Sequence, residues 1–239
     1  MSLMARRVSR VHKIVGLVVG IQLFFWTLSG LFFTLFPIEV IRGDPWRPSI
    51  EHGALQDMTV NVGAMEAASK VSGVWLGAEL QPFLDRPVWI ITTSETRAMI
   101  DAVTGESWSP LDAVSFRALQ RRFADSEGTA QIPGIEARAT FLTERAPREY
   151  AGALPAWVIE DMTSKQRIYF DATTGAVQSV RTTNWRIFDI LWRFHIMDIT
   201  GEDRFNTWWM RLFAFLALTM VLSGAVILID RARKGRLFF

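Results

Sequence analysis

The residues best suited to chemistry in this 239-residue chain are its three histidines, since it has no cysteine. His12 lies one helical turn before Gly16 and two turns before Gly20, so all three share one helical face. Glycines beside a histidine leave room for a flat porphyrin, and neutral imidazole is the usual axial ligand of b-type haem. His12 is therefore a candidate haem ligand. The alternative is a histidine among arginines at the level of the lipid headgroups.

His195 belongs to residues 185–198, WRIFDILWRFHIMD, whose pattern predicts a short amphipathic helix on a membrane surface. It falls about 200° around this helix from Arg193, on the side of Phe188 and Leu191, and so points into apolar surroundings. His195 is either a hydrogen-bonded structural histidine or a second candidate haem ligand.

Other signatures of catalysis are missing from the sequence. His52 lies in a loop and has no partner within reach along the chain. There is no Cys-x-x-Cys, His-Glu-x-x-His, phosphate-binding glycine loop or dinucleotide fingerprint. The sequence therefore predicts no catalytic residue and no metal site, leaves haem b as the one candidate cofactor, and favours a non-catalytic role over an enzyme.

The element that must position His12 is the uncharged stretch Ile14–Phe36. Its 23 residues would form a helix about 35 Å long, enough to cross a hydrocarbon layer about 30 Å thick. Residues 1–13 carry four cations and no acid, so we expect them in the cytoplasm. A secretory signal peptide has a shorter apolar core and a cleavage site, so residues 14–36 predict an uncleaved membrane helix.

A second apolar stretch, Leu212–Ile229, has 18 residues and would be about 27 Å long, which just spans the hydrocarbon layer. With its flanks, the second membrane helix is predicted over 208–230. The tail 231–239 again carries four cations and no acid. The two helices should therefore run in opposite directions, with both termini in the cytoplasm and the central region on the other side.

This topology separates the two candidate ligands. His12 lies at one membrane surface and His195 at the other, about 25–30 Å away. One haem cannot join them, and neither apolar stretch contains a further histidine. Haem binding would therefore require a homodimer or a partner subunit.

Both predicted membrane helices carry small residues at helical spacing, which allows helices in lipid to approach closely. The alternative is the ordinary tolerance of glycine in membrane helices. By depth, Gly16 and Gly20 can meet Gly224. The residues predicted to pack against another helix are Gly16, Gly20, Thr27, Gly30, Ala214, Ala217 and Gly224.

The region between the membrane helices contains an internal repeat. Residues 89–106 and 157–177 each predict two strands around a polar turn, and each contains an Asp-x-x-Thr-Gly element, DAVTG and then DATTG. Amphipathic helices are predicted before the hairpins, over 61–70 and 112–125. Two units of helix plus hairpin predict an α+β domain.

The paired D-A-x-T-G units, together with a first helix that reads H-K-x-x-G-L-x-x-G-x-x-L-F-x-W-x-L-S-G, resemble PepSY-associated transmembrane proteins over almost the whole chain. The resemblance implies a bacterial inner-membrane protein in which residues 37–184 form a periplasmic pair of PepSY-like repeats and residues 185–198 an interfacial helix. Larger relatives with four membrane helices look like haem-b reductases of ferric-siderophore uptake. Secreted PepSY modules act as peptidase propeptides or inhibitors.

The charge distribution limits the classes of binding partner that we expect. A pI near 9.3 is typical of a protein that binds nucleic acid, but eight of the 26 Lys and Arg lie in the two basic ends and all 24 acids lie between them. We expect the lipid bilayer and either other membrane subunits or a second copy as partners, and no nucleic acid. The leading hypothesis is a non-catalytic accessory subunit of a redox or iron-uptake complex. The alternatives are a haem-b protein reducing a ferric siderophore and a regulator of a periplasmic peptidase.

Overall fold

Two compact units divide the chain. The helical unit consists of Met1–Pro37 and Arg186–Phe239, and the sheet domain of Ile38–Trp185. The predicted α+β organisation is confirmed, since two apolar helices near the termini flank a domain of two antiparallel sheets. The structure, a computed structural model, describes residues 3–47, 54–125, 137–198, 206–233 and 235.

Within the described residues, the elements follow one another in a simple order. The helices are α1 (Leu3–Leu35), α2 (Ile38–Arg42), α3 (Ala64–Ala68), α4 (Ala113–Asp125), α5 (Thr183–Ile196) and α6 (Trp208–Arg233). The strands are β1 (Trp75–Phe83), β2 (Arg86–Thr93), β3 (Arg97–Asp101), β4 (Arg138–Leu142), β5 (Ala156–Glu160), β6 (Arg167–Asp171) and β7 (Val177–Arg181).

The helical unit is built on α1 and α6. Within them, His12–Leu35 and Trp208–Arg233 are long and apolar enough to cross a membrane. Helix α1 starts well before the predicted apolar stretch because its first residues are mostly good helix formers and include neither glycine nor proline. It ends shortly before Pro37, because proline disfavours helical geometry in the residue before it.

Helix α6 runs antiparallel to α1. His12 hydrogen-bonds Ser223, and one turn further along α1 the methyl carbon of Met220 lies against Gly16. A Cβ added at Gly16 would lie 2.7 Å from that carbon, so the helices approach closely there because glycine has no side chain.

A helix is present where the sequence predicts one over 185–198, since α5 covers Thr183–Ile196. The ring of Phe188 packs on Phe33 with centroids 4.9 Å apart, and that of Phe194 on Phe25 at 5.6 Å. These contacts align α5 alongside α1 for about 12 Å. Phe188 and Phe194 of α5 thus pack on aromatic rings of α1, which the sequence pattern of α5 alone does not reveal.

In the sheet domain, both predicted hairpins are present. Strands β2 and β3 pair antiparallel in the sheet β1-β2-β3, and β5 and β6 pair antiparallel in the sheet β4-β5-β6-β7. The repeat pattern did not predict β1, β4 or β7. Strand β1 was hidden because it contains Gly77 and Pro82, which weaken the strand signal and are tolerated at a sheet edge.

The two helices of the repeat differ in size. Helix α3 is shorter than the predicted 61–70, because the backbone N–H groups of Asn61 and Val62 both donate to the carbonyl of Ala102 instead of starting a helix. Helix α4 matches the prediction, with Asp112 as its N-cap accepting from the backbone N–H of Ser115 at 2.7 Å.

The main core lies between α4 and the strands. Phe116 on α4 is fully buried and stacks on Trp157 of β5 with ring centroids 4.6 Å apart. A smaller core lies under α3, where Ala67 packs against Ile91 and Ile100. The second repeat therefore buries the larger apolar side chains.

The two Asp-x-x-Thr-Gly elements fold alike. Asp101 and Asp171 each accept hydrogen bonds from the backbone N–H groups two and three residues later, at 2.7 to 3.2 Å. Gly105 and Gly175 close the turns with φ of +74° and +71°, a conformation that glycine adopts without strain. These aspartates are therefore turn-forming residues.

Candidate functional site

The first part of the candidate site is the His12 pair, formed by His12 on α1 and Ser223 on α6. Nδ1 of His12 lies 2.8 Å from Oγ of Ser223. The serine also donates to the carbonyl oxygen of Met220 on its own helix, at 3.0 Å. Gly224 lies beside the imidazole, since a Cβ there would lie 3.7 Å from Cε1 of His12, an ordinary contact distance.

The second part is the His195 pair, formed by His195 on α5 and Ser29 on α1. Nδ1 of His195 lies 2.8 Å from Oγ of Ser29, which is fully buried. This serine also contacts carbonyl oxygens of its own helix, Phe25 at 2.8 Å and Trp26 at 3.1 Å. The indole N–H of Trp26 donates to the carbonyl oxygen of His195 at 2.6 Å and so fixes the end of α5.

Aromatic rings surround the His195 imidazole. Trp192 lies parallel to it with centroids 6.3 Å apart, Phe33 lies edge-on at 5.5 Å, and Trp26 lies at 6.0 Å. The sequence predicted apolar surroundings from neighbours on the same helix. Two of the three rings come from α1, which periodicity within α5 does not reveal.

Sequence reasoning missed the two serines. They are the central residues of the two Leu-Ser-Gly motifs, 28–30 and 222–224. By their depth along the two predicted membrane helices, Ser29 and Ser223 lie too far apart to meet each other. Each instead bonds a histidine of another helix, 166 or 211 residues away in the chain. A polar residue repeated in the same tripeptide of two apolar helices was the available signal.

The structure does not bring the two histidines together. Ser29, which marks the level of His195, lies 17 residues after His12 on the same helix. At 1.5 Å per residue the two pairs are about 26 Å apart along α1. They are therefore two separate sites, and no single cofactor contacts both imidazoles.

A family model of the PepSY-associated TM region matches residues 9–239, which include both histidine–serine pairs. This chain belongs to that family. No curated protein and no solved structure matches the chain. Family membership and the two candidate spans together make this PepSY-associated TM protein a membrane protein.

The small residues predicted for helix packing occupy different surroundings in this PepSY-associated TM protein. Gly16 and Gly224 lie at the contact of α1 with α6. Gly20 and Gly30 would meet nothing within 4 Å if a Cβ were added. Thr27 is exposed and its hydroxyl donates to Leu23 of its own helix. On α6, Ala214 is exposed and Ala217 half-buried.

A cavity of about 480 Å³ lies within the helical unit, between α1, α5 and α6. Its wall includes Arg193 and Phe194, which precede His195, but not His195 itself. This cavity is therefore not a space against the imidazole of His195.

In the sheet domain, charged side chains form hydrogen bonds that stabilise the fold. Glu149 accepts hydrogen bonds from Arg167 at 2.9 Å and from the hydroxyl of Tyr169 at 2.8 Å. Burial raises the pKa of Tyr169, and its hydrogen bond to Glu149 raises that pKa further. No cluster of three potential metal ligands occurs among the residues that the structure describes, and His52 lies outside them.

Proposed function

We propose that this protein is a membrane electron-transfer protein of the PepSY-associated TM type. His12 and His195 would each be an axial ligand of a haem b group, with the second ligand from another copy of the chain. The supporting observation is that each histidine is hydrogen-bonded through Nδ1 to a serine of a neighbouring helix. The described residues form no hydrogen bond with Nε2 of either ring, so that nitrogen remains for a ligand.

The donor chemistry fits haem iron. Haem ligation needs a neutral imidazole, held in one orientation by a hydrogen bond at its other nitrogen. Both rings have such a hydrogen bond at Nδ1, and aromatic side chains surround His195. A bound haem supplies one-electron transfer, while the chain holds the ligands at two levels of one membrane helix.

The requirement for a second chain follows from the spacing. The imidazoles lie about 26 Å apart along α1, so each site obtains one histidine per chain. A two-fold dimer places the same residue of both copies at an interface and so supplies two histidines at each level. The free faces of Gly20 and Gly30 allow another helix to approach α1.

A second candidate function is the accessory subunit, which binds no haem and docks on a larger redox or iron-uptake complex. The same open glycine faces favour it, together with the exposed apolar residues along α6, such as Phe215 and Val226. Reduction of a ferric siderophore and regulation of a peptidase stay predictions from the resemblance. The placement of both termini in the cytoplasm stays a prediction from the basic ends, and the inner membrane and the periplasmic central domain stay predictions from the resemblance. Reporter fusions at residue 239 and within 137–185 would test this topology.

The deciding experiment is a reduced-minus-oxidised spectrum of the protein purified in mild detergent, with haem quantified per chain. We expect about one haem per chain in the wild type, and about half of that in each of His12→Ala and His195→Ala. His52→Ala is the matched control and should keep the full content. A folded wild-type protein without Soret or α bands would contradict haem binding. Co-purification of a different subunit would then favour the accessory role.

A further inference from the structure

We infer that Ser29 and Ser223 are positioning residues that hold His195 and His12 in the tautomer with the proton on Nδ1, which makes Nε2 the ligand nitrogen. The inference rests on the proposed function only for the identity of the ligand. The tautomer itself follows from hydrogen bonds within the helical unit.

The hydroxyl proton of Ser29 decides which nitrogen of His195 carries a proton. A serine hydroxyl has one proton to donate and two lone pairs that accept. A carbonyl oxygen only accepts, so we assign that proton to the contact of 2.8 Å from Oγ of Ser29 to the carbonyl of Phe25. With this assignment, the contact of 2.8 Å to His195 is donated by the imidazole. His195 is therefore protonated at Nδ1, and the lone pair of the neutral ring is on Nε2.

The same reasoning applies to Ser223. Its hydroxyl donates to the carbonyl of Met220 at 3.0 Å, so Nδ1 of His12 is the donor in the contact of 2.8 Å between the two side chains. Each Leu-Ser-Gly motif thus provides an acceptor for a histidine on another helix.

Both membrane helices also carry a hydroxyl group that bonds a carbonyl of its own helix and no histidine. Thr27 on α1 donates to Leu23, and Thr219 on α6 donates to Phe215, both at 2.9 Å or less. Neither contacts a histidine in the structure. They share the local bond of the serines to a helix carbonyl and lack the bond to an imidazole, so they are matched controls.

Loss of the serine acceptor should change the tautomer of the histidine. Without it, the ring at this position is free to carry its proton on Nε2, which cannot ligate iron in that form. Removal of a hydrogen bond that orients a metal-ligating histidine typically lowers affinity about 10- to 100-fold. It also makes the imidazole a weaker electron donor, which raises the reduction potential of the site.

The test compares Ser29→Ala and Ser223→Ala with Thr27→Ala and Thr219→Ala in the full chain. Nitrogen NMR of ¹⁵N-histidine in the haem-free protein reports the tautomers, and redox titration of the haem-loaded protein reports the potentials. We expect protonated Nδ1 at both rings in the wild type and in the threonine variants. Each serine variant should lose that signature at its own histidine, weaken haem binding there about 10-fold or more, and raise the potential. Ser223→Thr, which keeps a hydroxyl, should restore the His12 site.

The two proposals fail in different ways. A wild-type protein that binds no haem but shows protonated Nδ1 at both rings would end the proposed function and support the tautomer assignment. Protonated Nε2 in the wild type would overturn the inference even if haem is present. Equal losses of haem in the serine and threonine variants would also overturn it, because they would indicate a general effect on the helices.

Discussion

The turn aspartates of the sheet domain and the histidines of the helical unit find their hydrogen-bond partners in opposite ways. In the sheet domain, Oδ1 of Asp101 and Oδ1 of Asp171 accept from backbone N–H groups of their own turns, two and three residues away. In the helical unit, the His12 pair and the His195 pair join helices whose residues are far apart in sequence. Polar groups satisfied locally are explained by folding alone. Polar groups paired across apolar helices are costly to place there, and we therefore assign function to them.

Substitutions in the sheet domain should reduce the stability of that domain and leave the haem content unchanged. Substitutions in the histidine–serine pairs should reduce the haem content and leave the stability of the sheet domain unchanged. Local stability is measured by hydrogen exchange in the full chain, because exchange reports each unit separately.

The largest effect is expected from Gly175→Ala. The residue has φ of +71°, and an added Cβ would lie 2.5 Å from the buried ring of Phe83. The strain and the overpacking together should cost about 3 kcal/mol, seen as faster exchange in β6 and β7. Gly105→Ala at the equivalent turn is the control, because there the added Cβ meets the flexible end of Lys70. We expect it to cost only about 1–2 kcal/mol. Equal losses would show that the neighbouring ring does not matter.

The next largest effect is expected from Glu149→Ala. The substitution leaves the hydroxyl of the buried Tyr169 without this acceptor and removes one of the two carboxylates bonded to Arg167. We expect a loss of about 2 kcal/mol of domain stability, since an unsatisfied buried polar group costs about 1–3 kcal/mol. The exposed Glu144→Ala should change stability little. A matching fall in haem content would contradict the proposed division of roles.

On the helical side, Trp26→Phe should loosen α5. It keeps an aromatic ring but removes the indole N–H that donates to the carbonyl of His195 at 2.6 Å. The unsatisfied carbonyl should cost about 1–2 kcal/mol and increase exchange in α5. Haem content should fall at the His195 site and stay unchanged at the His12 site. Trp209→Phe is the control, since the ring of Trp209 stacks on Trp208 and no hydrogen bond of its indole is recorded within the described residues. Equal hydrogen exchange in α5 of the two variants would show that the bond from Trp26 to the carbonyl of His195 does not stabilise α5.

The same contrast explains what the sequence could predict. The hairpins and α4 were predictable because alternation, the Asp-x-x-Thr-Gly turns and the cap at Asp112 are local signals. Strand β1 was not, since Gly77 and Pro82 obscure its pattern. The separation of the two histidines followed from helix length and depth, whereas their serine partners depend on contacts between distant segments.

The position of α5 shows the same limit. Its amphipathic pattern is compatible with a membrane surface and with a neighbouring helix. The structure adds the packing of α5 on the rings of Phe25 and Phe33 of α1, and a pattern within one segment carries no information about those rings.

The smallest effect is expected from the cap of α4. The backbone N–H and the hydroxyl of Ser115 hold the pKa of Asp112 below its ordinary value of 3.8. Because the pKa is lower in the folded state, the stabilisation is present above the unfolded value and is lost as the pH falls through the folded value. At pH 7, Asp112→Ala should cost about 1 kcal/mol, measured by exchange in α4, and the difference from wild type should shrink in acid. Asp112→Asn keeps a capping side chain without the charge, so its stability should be close to wild type and lack this acid dependence. An undiminished difference between Asp112→Ala and wild type at acid pH would show that the carboxylate charge does not stabilise the cap.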